Sequence, residues 1–183
     1  MTLFHMDRVL ALLQAVDDQL QDGPPIHIRV GGGVGMMRVN PHRLTEDVDV
    51  FDRSYPDELH RAAAAVAKNE GLPADWLNND IAHFGIDTEG FDTDPAPLFA
   101  GRRLVVTCFS LRALLALKLL AGRETDTNDI LLLMRETGLT SPAGLREMLD
   151  DYLGYQETKS SRDWAYARVE DLCADYRTMR WAR

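Results

Sequence analysis

The chain has 183 residues, 45% of them hydrophobic and 27% charged, which is the make-up of one ordinary soluble domain and leaves no room for a second full-sized core. Its 29 Asp and Glu against 20 Lys and Arg give a net charge of −9, which excludes a generally basic nucleic-acid coat protein, because neutralising phosphates needs clustered cations. The acidity is concentrated: residues 44–100 carry −10, whereas 101–123 hold Arg102, Arg103, Arg112, Lys118 and Arg123 and no acid.

Leu3, Met6, Leu10, Leu13, Val16 and Leu20 recur at a 3–4 spacing, which predicts an amphipathic helix over 3–20, stopped by Asp22-Gly23-Pro24-Pro25. Ile26-His27-Ile28-Arg29-Val30 alternates and predicts a strand that runs straight into the glycines 31–33 and 35. Val48-Asp49-Val50-Phe51 predicts a second short strand. Ser54 then reads as the N-cap of a helix with Asp57 in its first turn, continuing through the alanine run to about Asn69 and ending at Gly71. The Asp-, Asn-, Gly- and Pro-rich stretch 74–100 reads mostly as loop, with one turn of helix over Ala74–Leu77. Leu104-Val105-Val106-Thr107 predicts a strand. Four helices follow: Leu111–Ala121 capped by Ser110 and stopped by Gly122, about 126–136 before Gly138, one opened by Ser141-Pro142, and a polar last helix. Trp164, Tyr166, Tyr176 and Trp181 on that last helix are expected to pack inward. The expected class is α+β: an α/β core over 1–107 with a small mixed sheet, then a helical part over 108–183 packed on it.

Cys108 and Cys173 lie in apolar or helical surroundings without CxxC spacing, which argues against disulfides and zinc and for a reducing compartment. The five histidines show no metal-ligand spacing, and His27 reads as a packed or surface residue. His5, Asp7 and Arg8 near the N-terminus do not make a signal peptide, and Leu111–Ala121 is too short and too charged to span a bilayer. A cytoplasmic protein without a membrane partner is expected.

The pattern richest in chemistry is Val30-Gly31-Gly32, then fourteen residues, then Asp47-Val48-Asp49-Val50. Residues two apart on a strand share a face, so Asp47 and Asp49 present two carboxylates side by side. Their repulsion is relieved by a divalent cation, and Mg²⁺, which keeps waters and substrate phosphates in its shell, suits an Asp-x-Asp pair holding a nucleoside triphosphate. Glycines between a strand and a helix start let backbone N–H groups approach a phosphate closely. Gly-Lys-Ser/Thr is missing and Met stands at position 36, so neither a P-loop nor a dinucleotide fingerprint is complete.

Gly31-Gly32 followed by Arg43-x-Thr45-x-Asp47-Val48-Asp49 resembles the first motif of the minimal nucleotidyltransferases, of DNA-polymerase-beta-like fold. Within that superfamily it is most similar to the bacterial group that includes the abortive-infection AbiEii-type toxins. Lys118 on a leucine-rich helix, then Arg123-x-x-Asp126-x-x-Asp129, resembles that group's later motif, so the resemblance covers roughly 26–135. It implies a Mg²⁺-dependent transfer of a nucleoside monophosphate from a triphosphate such as ATP to a tRNA 3′ end or a protein hydroxyl, in an enzyme that is the toxin of a toxin–antitoxin pair with an antitoxin partner. Asp47 and Asp49 would hold the metal, and Gly31 and Gly32 would pack against the triphosphate. Lys118 would act as the catalytic cation on the phosphates. Arg43, Thr45, Arg123, Asp126 and Asp129 would complete the nucleotide site. Enzymes of this fold generally add a third carboxylate, for which Asp80, Asp87, Asp92 and Asp94 are available.

Other readings stand beside these. Asp47 and Asp49 can be solvated edge-strand residues, and the glycines a tight turn. Lys118 can snorkel to water rather than face a polar cleft. Asp126 and Asp129 can be an N-cap and a first-turn acid. An inert nucleotide- or partner-binding module, and an aminoglycoside-type nucleotidyltransferase attracting a cationic substrate to the acidic stretch 74–100, are the alternative functions. The acidic pair and the acid-free segment 101–123 are expected to face each other as metal wall and cation wall of one cleft.

Overall fold

The stripe formed by Val9, Leu12, Leu13 and Val16 is buried along α1 (Met6–Gln19), which packs against α3 (Asp57–Glu70) through Leu59, Ala62, Ala63 and Val66 of the latter. A computed structural model describes residues 2–51, 55–79, 92–153 and 159–179 of the chain. It is α+β and divides into two units, Met1–Ser110 and Leu111–Arg183.

Among the described residues the strands all lie in the first unit. β1 (Ile26–Val30) pairs in parallel with β5 (Leu104–Cys108), from Ile26 opposite Leu104 to Val30 opposite Cys108. β5 pairs antiparallel with β4 (Ala96–Ala100), an edge strand whose Pro97 adjoins a register shift, as expected of a residue that cannot donate to a ladder. α2 (Gly32–Met36) follows β1 directly. β2 (Val48–Asp49) pairs in parallel with β3 (Leu77–Asn78), and a bridge between Val30 and Val50 joins β2 to β1. The core beneath is one cluster that includes Phe4, Leu13, Val30, Val48, Val50, Leu59, Trp76 and Val106.

Several expectations need correction. The first helix starts at Met6, with His5 as its N-cap, because Phe4 is held extended by a backbone bridge to Thr45. The N-cap of α3 is Pro56; Ser54 lies outside the described residues. The turn of helix expected at 74–77 is instead the approach to β3, and 96–100, expected as loop, is β4. Tertiary pairing overrides local composition at both places: Val48 N–H donates to Trp76 O (2.7 Å) and Val50 N–H to Asn78 O (2.8 Å), while β4 is templated by β5.

The second unit is helical: α4 (Leu111–Ala121), a 3₁₀ turn (Glu124–Asp126), α5 (Thr127–Thr137), α6 (Pro142–Leu153) and α7 (Lys159–Thr178). α4 is apolar nearly all round and is accordingly the most buried, packing on α5, α6 and α7. Gly138, at a φ of 72°, ends α5. Among the described residues no helix is long and apolar enough to cross a membrane. Trp164 is 43% exposed rather than fully packed, Tyr166 donates its hydroxyl to Asp150, and Trp181 lies outside the described residues.

Buried Asp17 ties α1 to the β4–β5 hairpin. Its carboxylate accepts the backbone N–H groups of Arg102 (2.7 Å), Arg103 (2.8 Å) and Leu104 (2.6 Å). Burial pushes its pKa up, but these three donors and the Arg102 guanidinium outweigh it and hold the carboxyl below its ordinary value. Arg103 is buried beside it, donating to Pro24 O (3.1 and 2.7 Å), Gln21 O and both oxygens of Glu58 (3.0 and 3.1 Å). Asp17→Asn is expected to cost about 2 kcal/mol at pH 7, since an amide supplies no charge and turns N–H donors toward N–H donors. A lowered pKa contributes stability above the ordinary carboxylate range and loses it as pH falls through the lowered value. The gap between wild type and Asp17→Asn in urea denaturation should therefore be full at pH 7 and shrink below pH about 4.

Candidate functional site

β2 alternates: Val48 and Val50 are fully buried in the core, and Asp47 and Asp49 are half-buried on the other face. Hydrogen bonds fix the strand on both edges. Val48 and Val50 donate toward β3, while Gly31 N–H donates to Asp49 O (3.2 Å) and Phe51 N–H to Arg29 O (2.9 Å) on the β1 side. The two carboxylates therefore cannot rotate to the core face without breaking both ladders.

The glycine turn lies against this face. Gly32 has a φ of 53°, in the left-handed region, and a Cβ there would overlap Asp49 Oδ2. A Cβ on Gly33 would overlap Thr45 Oγ1, and that hydroxyl donates to Asp47 Oδ1 (3.2 Å). Gly31 differs: a Cβ there would stand 2.6 Å from the Phe51 ring, which meets Phe109 edge to face with centroids 4.8 Å apart. The missing side chain at 31 is thus accounted for by aromatic packing, and those at 32 and 33 by the carboxylates and their partner. Arg43 is half-buried in the turn leading to Thr45, its N–H bonded to Asn40 O (2.9 Å).

Two carboxylates and a hydroxyl on one face form an all-oxygen donor set, the kind that suits Mg²⁺ rather than a thiolate- or imidazole-binding metal. Among the described residues no group of three or more His, Cys, Asp or Glu side chains is placed to hold a metal ion. Of the third-carboxylate candidates, Asp80 and Asp87 lie outside the described residues and Asp94 is exposed. Asp92 is buried, but its carboxylate accepts Ser110 N–H (2.8 Å) and Asp94 N–H (3.4 Å), and its carbonyl accepts Arg29 Nη1 (2.8 Å). Asp92 thus ties its own segment to the end of β5. Both cysteines are free and buried, and burial pushes the Cys108 thiol up to about 12, which removes it as a nucleophile.

The later motif forms its own cluster in the second unit. Lys118, expected to face a cleft, is 9% exposed, with its ammonium 2.7 Å from Asp126 Oδ1 and 2.9 Å from Asp129 Oδ2. Asp126 is the N-cap of α5 by position, but its carboxylate is on Lys118 and makes no capping hydrogen bond. Asp129 sits in the first turn of α5. The structure thus brings Lys118, Asp126 and Asp129 together, while Arg123 is exposed. The cations of 101–123 find partners nearby: Arg102 reaches Leu20 O and Asp22, Arg103 reaches Glu58, and Lys118 reaches its two acids.

Residues that composition and spacing did not single out complete the first site. Phe51 fills the space over Gly31; Phe4 and Trp76, edge to face with centroids 6.3 Å apart, stand under Thr45 and Val48. An apolar residue after an Asp-x-Asp strand is a faint signal for Phe51, and Phe4 merely falls inside the helix expected over 3–20.

No family model matches the chain, and neither a curated protein nor a solved structure matches it.

Gly32→Ala is expected to lower stability by about 1–3 kcal/mol through its left-handed φ alone, and further through displacement of Asp49. Gly71→Ala is the control in urea denaturation: its φ of 66° is equally demanding, but nothing lies within 4 Å of the added Cβ, so it should cost distinctly less. Lys118→Met removes the ammonium that Asp126 and Asp129 share and is expected to cost about 3–5 kcal/mol, whereas Arg123→Ala should stay within about 0.5 kcal/mol. Denaturation monitored by far-UV circular dichroism measures both.

Proposed function

We propose that the first unit binds a nucleoside triphosphate with Mg²⁺ at Asp47 and Asp49 and transfers its nucleoside monophosphate to an acceptor hydroxyl. The observation that carries this reading is the packing of the glycine turn on the carboxylate face, in which only glycine at 32 and 33 leaves room for Asp49 and for the Thr45 hydroxyl. A solvated edge strand would not require that fit. Mg²⁺, when bound, offsets charge on the phosphate oxygens and on the departing pyrophosphate. In the transfer an acceptor oxygen bonds to the α-phosphorus, the bond from that phosphorus to the bridging oxygen of the β-phosphate breaks so that pyrophosphate leaves, and the acceptor proton passes to water. Asp47 and Asp49 hold and orient, and such positioning supplies most of the acceleration in phosphoryl chemistry.

The resemblance supports a tRNA 3′ end or a protein hydroxyl as acceptor, and the role of a toxin restrained by an antitoxin. A second reading, nucleotide binding without transfer, is favoured by the structural use of Asp92, whose carboxylate accepts Ser110 N–H.

Titration calorimetry of ATP with Mg²⁺ should show binding that Asp49→Asn weakens at least tenfold; equal binding by the two proteins sinks both readings. Incubation with α-labelled triphosphates and total tRNA or cell protein then separates them. Transfer of label that depends on Asp47 establishes the enzyme, and binding without transfer establishes the inert module.

A further inference from the structure

The residue that the arrangement singles out is Thr45. It is 8% exposed and lies two residues before Asp47. Its backbone is held on both sides by Phe4, with Phe4 N–H donating to Thr45 O (2.7 Å) and Thr45 N–H to Phe4 O (3.1 Å). Its Oγ1 and Cβ occupy the space that a side chain at Gly33 would take. Its hydroxyl donates to Asp47 Oδ1 at 3.2 Å. On the other side of Asp47, Val48 N–H donates to Trp76 O (2.7 Å), and the fully buried rings of Phe4 and Trp76 pack edge to face. Trp76 is itself anchored by its indole N–H on Ala63 O of α3 (3.1 Å). The chain is therefore gripped on both sides of Asp47 by one aromatic pair, and the Thr45 hydroxyl fixes the remaining freedom, the rotation of the carboxylate.

We propose that Thr45 is a positioning residue for Asp47, its hydroxyl holding one carboxylate oxygen so that the other is presented to a divalent cation, and that the bridge from Phe4 is what keeps Thr45 in place. The resemblance places Thr45 among groups that touch nucleotide; here the hydroxyl proton is directed at Asp47 and the main-chain groups at Phe4, so Thr45 acts through the carboxylate. This inference rests on the assignment of Asp47 and Asp49 to a cation site. A carboxylate free to rotate meets the cation in several orientations, and fixing it beforehand removes that ordering cost from binding.

The test is Mn²⁺ alone, titrated into the full chain and followed by calorimetry or water-proton relaxation, with melting temperature recorded for every variant. Thr45→Val keeps the shape and the backbone bridge and removes the hydroxyl; it should weaken Mn²⁺ binding about fivefold or more, the value of one ordinary hydrogen bond, with little change in melting. Thr45→Ser restores the hydroxyl and should return affinity to within about twofold of wild type. Thr45→Ala is the second variant without the hydroxyl and should lose as much as Thr45→Val. Wild-type affinity in Thr45→Val and Thr45→Ala overturns the proposal, and so does a Thr45→Ser protein as weak as Thr45→Val, which would assign the effect to packing on Gly33. Wild-type protein that binds no Mn²⁺, or binds it equally after Asp47→Asn, overturns the cation site itself and the role of Thr45 with it.

Discussion

The space over the turn between β1 and α2 is already full. Phe51, the Asp49 carboxylate and Thr45 stand where side chains at 31, 32 and 33 would be, so any larger residue there must displace one of them, and at 32 it must also adopt a left-handed φ. Much of the first unit follows from that closeness. Gly31 reaches the Asp49 carbonyl, Val30 bridges to Val50, and β2 is thereby drawn against the end of β1. Once β2 is there, its two valines enter the core, and its two acids are left on the face that the glycines cover. The same tightness that builds the fold builds the carboxylate pair, which is why a substitution in the turn acts on both.

Charge is handled in both units by local pairing. Asp17 takes three backbone donors of the β4–β5 hairpin, Arg103 spends its guanidinium on carbonyls and on Glu58, Asp92 holds the end of β5, and Lys118 sits between Asp126 and Asp129. Each of these groups is buried and would be costly if left alone. In the acid-free stretch 101–123 three of the five basic side chains are engaged nearby, and among the described residues Arg112 and Arg123 make no ion pair. The net negative charge of the chain arises in part from acids that the fold consumes, Asp17, Asp92, Asp126 and Asp129 among them.

The legible part of the site is Asp47 and Asp49, because alternation on a strand is a property of neighbouring residues and needs no knowledge of what lies across the sheet. The surroundings of the pair were not legible. Phe4 falls inside the helix expected over 3–20 until the bridge to Thr45 is seen, and Trp76 reads as a helical turn until it is seen to feed β3. Both errors have one cause: a strand of two or three residues has no periodicity of its own, and its existence depends on a partner tens of residues away.

The sequence alone determined the α+β class, β1 and β5, and the extents of α3 to α6 to within a few residues, since each follows from apolar spacing, cap residues or backbone freedom within a short window. Only the tertiary structure decided which acids hold distant backbone donors. Asp17 and Asp92 looked no different from Asp47 and Asp49 along the chain, yet the first two are bound to backbone donors 18 to 87 residues away, while the latter two share a solvent-side face packed by glycine. Which donors reach a carboxylate is set by how distant strands and turns come together, and a short window of sequence does not contain that information.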